Sequence, residues 1–208
     1  MKLQLALDDI TLDEAQKLLS EVIEYIDIIE VGTPMIYEYG LDAIRQIRNS
    51  FKDACINADF KIMDAGYYEA SQAFKATGNI VTVMALAHDV TIKGAVKSAA
   101  EFGQKVMGDM MLVEDILRRG KEIVNLGVDY VCIHTAVDIQ DFESPYEDLA
   151  LLRKEAPEIK CVIAGGINSQ TIKNVIGLKP EIVIVGSGIT KAKNPKIEAK
   201  TISNLLKF

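Results

Sequence analysis

LQLALDDITLDEAQKLLSEVI, residues 3 to 23, changes its periodicity partway along. Its first five residues are an apolar run with strand character. Side chains alternate across a strand, so Leu3, Leu5 and Leu7 share one face while Gln4, Ala6 and Asp8 share the other. After the acidic pair Asp8-Asp9, Thr11-Leu12-Asp13-Glu14 has the form of a capping box, in which Thr11 and Glu14 each satisfy a free backbone N–H. Apolar residues then recur at Ala15, Leu18, Leu19, Val22 and Ile23, the spacing of one helix face. The segment predicts a strand, a short loop and an amphipathic helix.

This unit repeats along the whole chain. Further β-rich runs begin at residues 26, 55, 79, 105, 129, 160 and 181, spaced 21 to 31 residues apart from one start to the next. Helix patterning fills the gaps at 41–47, 67–76, 91–102, 113–126, 146–155, 169–176 and 195–206. Eight alternating β and α units imply parallel strands with crossover helices, and in 208 residues they predict a closed (β/α)₈ barrel, a TIM barrel. An open doubly wound sheet is the alternative, weakened by the even spacing and by the lack of an opening G-x-G-x-x-G. No linker, low-complexity tract or charge block interrupts residues 1–208, so a single α/β domain is expected.

Composition narrows the partners. Thirty acidic against 23 basic residues leave a formal charge of −7, which repels nucleic acid and anionic membrane. The three cysteines, Cys55, Cys132 and Cys161, are odd in number and lie within apolar segments, which predicts reduced core thiols. Acidic residues arrive within ten positions of the start, too early for a signal-peptide core, and no apolar run is long enough to span a bilayer. A cytoplasmic, soluble protein without membrane or nucleic-acid partners is expected.

In such barrels the functional residues come from the C-terminal ends of the strands. Here those ends carry Asp8, Glu30, Asp59 with Lys61 two positions on, Asp109 and His134, while the last two strands end in Gly165-Gly166 and Gly186-Ser187-Gly188. The fourth strand is uninformative, with His88 and Asp89 only a few residues beyond Met84. Charges at strand ends also serve as solvated margins of a core, but alternation points these inward. Asn57, Asp59 and Lys61 share a face, as do Ile28 with Glu30 and Tyr130 with Cys132 and His134.

A ring of carboxylates, one lysine and one histidine is therefore expected over the mouth. Crowded carboxylates repel one another unless a cation intervenes. Lys61 supplies one positive charge, and Mg²⁺ held by the oxygens of Glu30 and Asp59 would supply more. The glycine turns VIAGGINSQ and VIVGSGITK occupy the usual phosphate-binding position of these barrels, which implies a phosphorylated small molecule.

Asp59-Phe60-Lys61-Ile62-Met63-Asp64 has the D-x-K-x-x-D form of the orotidine 5′-monophosphate decarboxylase suprafamily. Together with LALDD, DIIEVGTPMI, DFKIMDAG, IHTAVD and IAGGI, the chain resembles the 3-hexulose-6-phosphate synthase branch over essentially its whole length. That resemblance implies a homodimeric, Mg²⁺-dependent carbon–carbon lyase. It would condense D-ribulose 5-phosphate with formaldehyde to D-arabino-hex-3-ulose 6-phosphate through a Mg²⁺-stabilised enediolate.

Carried over by position, Glu30 and Asp59 would be metal ligands, Asp8 and Lys61 part of the polar cluster at the substrate, and His134 the acid/base. Asp64 would reach into the partner's site. Asp109 would contact substrate hydroxyls, and Gly165, Gly166, Gly186 and Ser187 would hold the phosphate.

The rival within the suprafamily is 3-keto-L-gulonate 6-phosphate decarboxylase, in which an arginine follows the sixth-strand histidine by three positions. Val137 stands there in this chain. Two histidines are too few for the ligand set of a ribulose-phosphate 3-epimerase. A non-catalytic sugar-phosphate-binding barrel would show eroded ligands or an eroded motif. His88 is expected to be structural.

Overall fold

The computed structural model describes residues 1–140 and 144–207. Eight strands, β1 (Lys2–Leu7), β2 (Ile28–Val31), β3 (Cys55–Ile62), β4 (Ile80–Met84), β5 (Lys105–Asp109), β6 (Tyr130–His134), β7 (Cys161–Ala164) and β8 (Ile182–Val185), pair in parallel. They run in sequence order around a closed barrel in which β8 returns to β1. The helices are α1 (Leu12–Val22), α2 (Thr33–Tyr39), α3 (Leu41–Ser50), α4 (Gly66–Lys75), α5 (Asp89–Phe102), α6 (Ile116–Asn125), α7 (Tyr146–Glu155), α8 (Lys173–Ile176), α9 (Ser187–Thr190) and α10 (Pro195–Leu206). The expected (β/α)₈ architecture is present.

Each strand is buried on both faces, which is why the sequence shows near-continuous apolar runs. Outward residues such as Leu3, Leu5, Leu7, Ile29, Val31, Ile56, Val81 and Val183 join the helices in the main core. Inward residues form a second, smaller core of Ala6, Ile28, Ile80, Met107, Tyr130, Cys132, Val162, Ala164, Ile182 and Ile184. Helix α1 begins as its sequence dictates: Thr11 Oγ1 accepts from the Glu14 N–H at 3.3 Å, and Glu14 Oε2 accepts from the Thr11 N–H at 2.9 Å.

Four details depart from the sequence expectation. Strand β3 does not stop at Asp59. It runs to Ile62, its register with β4 shifts between Ala58 and Ile62, and Lys61 takes a left-handed backbone, φ 47°. Helix α2, opening on Thr33-Pro34, is an extra element in the second loop. It was hidden because Gly32 and Gly40 bracket too short a stretch to show a periodicity. The helix expected at 169–176 shrinks to α8, since the Asn168 side chain accepts from the N–H groups of Gln170 and Thr171 and holds the chain in a turn. All three cysteines are free, but Cys55, at the entry to β3, is only partly buried.

Candidate active site

The inward alternation of the strands delivers Asp8, Glu30, Asp59, Asp109 and His134 to one cavity of about 360 Å³ at the C-terminal mouth, which Lys61 also lines. Because β3 bulges after Asp59, simple alternation no longer decides where Lys61 points. Its long side chain nevertheless turns in: Nζ lies 2.5 Å from Asp59 Oδ2 and 3.6 Å from Asp109 Oδ2. Asp109 Oδ2 in turn lies 2.8 Å from His134 Nδ1, and its Oδ1 accepts from the Met111 N–H at 2.9 Å. A continuous polar chain, Asp59–Lys61–Asp109–His134, crosses the floor.

Asp59 is held by more than the lysine. Thr33 Oγ1 donates to its Oδ2 at 2.8 Å and to its backbone carbonyl at 2.7 Å, and Thr82 Oγ1 donates to Oδ1 at 2.6 Å. Neither threonine stood out in the sequence. Thr82 sits within NIVTVM, where threonine is an ordinary strand former, and only its inward parity marks it. Gln4, likewise inward, donates through Nε2 to Glu30 Oε2 at 2.7 Å.

The electrostatics follow from this crowding. Burial, then the charges of Asp59 and Asp8, push the Glu30 carboxyl well above its ordinary range, against the pull of the Gln4 amide and Lys61. Burial and Asp59 likewise raise Asp8 from 3.8 to about 6, with Lys61 opposing. Burial alone would lower Lys61, but Asp59, Asp109 and Glu30 overcome it and raise the ammonium. At Asp109 burial is outweighed by the His134 hydrogen bond and charge, by Lys61 and by the Met111 N–H, so its carboxyl is lowered. Cys132, also in the lining, is raised by burial and the nearby carboxylates and stays a neutral thiol.

The opposite wall is glycine-rich. Gly165 and Gly166 adopt φ of 117° and 64°, and a Cβ on Gly165 would lie 2.9 Å from the Thr135 carbonyl oxygen, so only glycine fits the turn. A Cβ on Gly188 would lie 2.3 Å from the Ile167 carbonyl oxygen, so the β7 and β8 loops touch here. Ser187 and Gly188 open α9, and their N–H groups have no intrahelical acceptor. Gly165, Gly166, Gly186, Ser187 and Thr190 all line the cavity.

Two motif residues lie elsewhere. Asp64 is exposed on the loop beyond β3, where its Oδ1 accepts from the Ala65 N–H at 2.7 Å, and it does not line its own chain's cavity. His88 is exposed at the start of α5, makes no side-chain cap, and is also outside the cavity.

The expected ring of carboxylates is not one tight cluster. Among the described residues no three His, Cys, Asp or Glu side chains come together as a metal-binding group, because Asp59 is turned toward Lys61 and two threonines and Asp109 toward His134. Glu30 and Asp59 remain as two hard oxygen donors whose mutual repulsion is unrelieved at Glu30. That donor set fits Mg²⁺, which takes one or two carboxylates and completes its octahedron with water and ligand oxygens.

The barrel, its acidic mouth and its glycine-bounded wall define a (β/α)₈ protein with one polar pocket at the C-terminal ends of its strands. The chain belongs to the orotidine 5'-phosphate decarboxylase / HUMPS family, whose profile matches residues 1–202. It is 44% identical over 207 residues to the 3-hexulose-6-phosphate synthase of Bacillus subtilis, covering 99% of each chain. The crystal structure of 3-hexulose-6-phosphate synthase from Salmonella typhimurium superposes with a TM-score of 0.97 at 40% identity, covering 100% of this chain and 99% of that one. The 3-keto-L-gulonate-6-phosphate decarboxylase from Vibrio cholerae superposes at 0.87 with 27% identity, covering 99% and 97%.

Proposed function

We propose that the protein is a single-domain, cytoplasmic 3-hexulose-6-phosphate synthase, joining D-ribulose 5-phosphate to formaldehyde and cleaving the product in reverse. The observation that carries this reading is the Asp109–His134 pair at the cavity floor. Asp109 is an ionised acceptor, so the His134 proton sits on Nδ1 and Nε2 is left as a base. His134 Nε2 takes a proton from C1 of the ketose, the resulting enediolate carbon attacks the formaldehyde carbon, and the new alkoxide recovers a proton.

Glu30 and Asp59 would hold Mg²⁺, which when bound would polarise the ketose carbonyl and its neighbouring hydroxyl. Lys61 and Asp8 line the same cavity, and Lys61 would offset negative charge that develops on the ketose oxygens. Asp109 meets the substrate hydroxyls while fixing the imidazole. The turns at Gly165, Gly166, Gly186 and Ser187 receive the phosphate through backbone N–H groups, which fits a cavity whose lining, among the described residues, has no arginine and no lysine but Lys61. Val137, exposed at the rim, leaves the decarboxylase position apolar.

A homodimer agrees with the apolar surface around Asp64. Met63, Tyr67, Tyr68, Leu86 and Val90 are all exposed on the loops after β3 and β4 and on the first turns of α4 and α5, two helices that pack together. Asp64 projects from this patch, where it would enter the partner's cavity. Charge and sequence argue against nucleic acid, and among the described residues no helix is long and apolar enough to cross a membrane.

The test supplies Mg²⁺ and ribulose 5-phosphate with formaldehyde, and in parallel 3-keto-L-gulonate 6-phosphate. Formaldehyde consumption with hexulose phosphate formation is expected. Brisk CO₂ release without formaldehyde consumption would overturn the reading in favour of the decarboxylase.

A further inference from the structure

A second polar layer lies beneath the pocket, and none of the chemistry above touches it. Gln4 and Asn57 both point into the barrel and expose no surface. Gln4 Nε2 is spent on Glu30, but Gln4 Oε1 has no partner among the described residues, and neither Oδ1 nor Nδ2 of Asn57 has one. The β2–β3 register puts Asn57 beside Glu30 on the same rung, and alternation puts it one inward step below Asp59.

The other inward-facing strand neighbours of Gln4 and Asn57, namely Ala6, Ile28 and Ile80, are apolar, and Glu30, though next to Asn57, makes no hydrogen bond to it. The three apolar side chains cannot answer an amide. Each buried amide atom left dry costs on the order of 1–3 kcal/mol, and native interiors answer such atoms with ordered water. The unpartnered set holds two acceptors and one donor group. Water donates and accepts at once, so it completes both kinds.

Gln4 is also the only hydrogen-bond partner found for the Glu30 carboxylate among the described residues. A glutamate side chain has three rotatable torsions, and here a single contact selects among them. Losing that contact would free the carboxylate to turn away from the pocket.

We infer that Gln4 and Asn57 bind ordered internal water beneath the pocket, and that this layer holds the Glu30 carboxylate in place at the floor. Both are positioning residues. The water depends only on the orphaned amides, whereas the consequence for a divalent cation rests on the reading of Glu30 as its ligand.

The test compares wild type, Gln4→Met, Asn57→Leu and Glu30→Gln. An atomic-resolution crystal structure of the wild type is expected to show water hydrogen-bonded to Asn57 and Gln4, and a dry layer there overturns the water. In Gln4→Met the Glu30 side chain is expected to shift, and Mn²⁺ binding to the substrate-free protein, read by electron paramagnetic resonance, to weaken at least about tenfold. Asn57→Leu removes the amide partners of the water, so its crystal structure is expected to lose that water, while Mn²⁺ binding weakens less than in Gln4→Met because Gln4 still holds Glu30.

Unmoved Glu30 with unchanged Mn²⁺ affinity in Gln4→Met overturns the positioning role. Glu30→Gln separates the two readings. If it binds Mn²⁺ like wild type, Glu30 is not a cation ligand, and the position of Glu30 in the Gln4→Met crystal then decides the inference alone. Should Gln4→Met fail to fold, the wild-type water and Asn57→Leu still decide it.

Discussion

Asp109 Oδ2 lies 2.8 Å from His134 Nδ1, and that contact sets the role of both imidazole nitrogens. The buried carboxylate can only accept, so it fixes one tautomer and orients the ring.

Replacing Asp109 with Asn reverses the donor. The amide would give its N–H to Nδ1, the proton would move to Nε2, and the base would be lost. Exchange of the C1 proton of ribulose 5-phosphate should slow by about 10²–10⁴-fold, the scale seen when a histidine is held in the wrong tautomer. His134→Ala should slow it by on the order of a hundredfold or more. Wild-type exchange in either variant would remove His134 from this role.

Lys61→Met should destabilise the fold in a pH-dependent way. The lysine lies 2.5 Å from Asp59 and 3.6 Å from Asp109, and removing one partner of a buried pair costs about 3–5 kcal/mol. Without it Asp109 loses one of the charges that hold its carboxyl down, so the deficit against wild type should be largest at neutral pH and narrow in mild acid. Urea unfolding at pH 7 and pH 5 measures this, and an equal deficit at both would contradict it.

Asp8 makes the opposite contribution. Its carboxyl is raised from 3.8 to about 6, so the folded state binds its proton more tightly than the unfolded chain does. Stability therefore falls as pH rises from about 4 to about 6, and the penalty persists above that. In the metal-free protein Asp8→Asn should be more stable than wild type at pH 7, by up to about 3 kcal/mol, and indistinguishable from it below about pH 4. A variant less stable than wild type at pH 7 would show that the charge is compensated.

Gly165→Ala tests the phosphate wall. The methyl would enter at φ 117° and lie 2.9 Å from the Thr135 carbonyl oxygen. A stability loss of about 1–3 kcal/mol is expected. Displacement of the turn should raise KM for the sugar phosphate several-fold while kcat changes less. A fall in kcat at unchanged KM would place the turn outside phosphate recognition.

Subunit mixing tests Asp64. In the proposed homodimer, Asp64→Asn and His134→Ala should each be nearly inactive. Mixed dimers should regain activity, because one of their two cavities then combines an intact His134 with an intact Asp64 from the other subunit. No recovery after verified exchange would place Asp64 in its own chain's chemistry.

The barrel could be read from the sequence because its signal is periodic. Runs buried on both faces recur at a nearly even spacing, and Thr11 and Glu14 mark the first helix unaided. Parity alone sent Asp8, Glu30, Asp59 and His134 inward, and Asp109 was marked by its place at the end of the fifth strand. What parity could not supply was contact between elements. Thr33 reaches Asp59 only because α2 folds over from the second loop, and Thr82 does so from β4. Neither residue type is distinctive where it stands. The bulge at Lys61 was also hidden, since an unbroken apolar and polar pattern continues through it.

That bulge carries a consequence for how the segment tolerates change. From Asp59 to Asp64 the chain leaves regular pairing, turns one lysine into the floor, returns Ile62 to the outer core beside Val83, and emerges at the surface. Phe60 packs against the outer core and Met63 is exposed, and the path between them fixes the number of residues. Deleting or inserting a single residue there would rotate Lys61 away from Asp59 and Asp109 and dislodge Ile62. In a mutational library the stretch should reject every change of length.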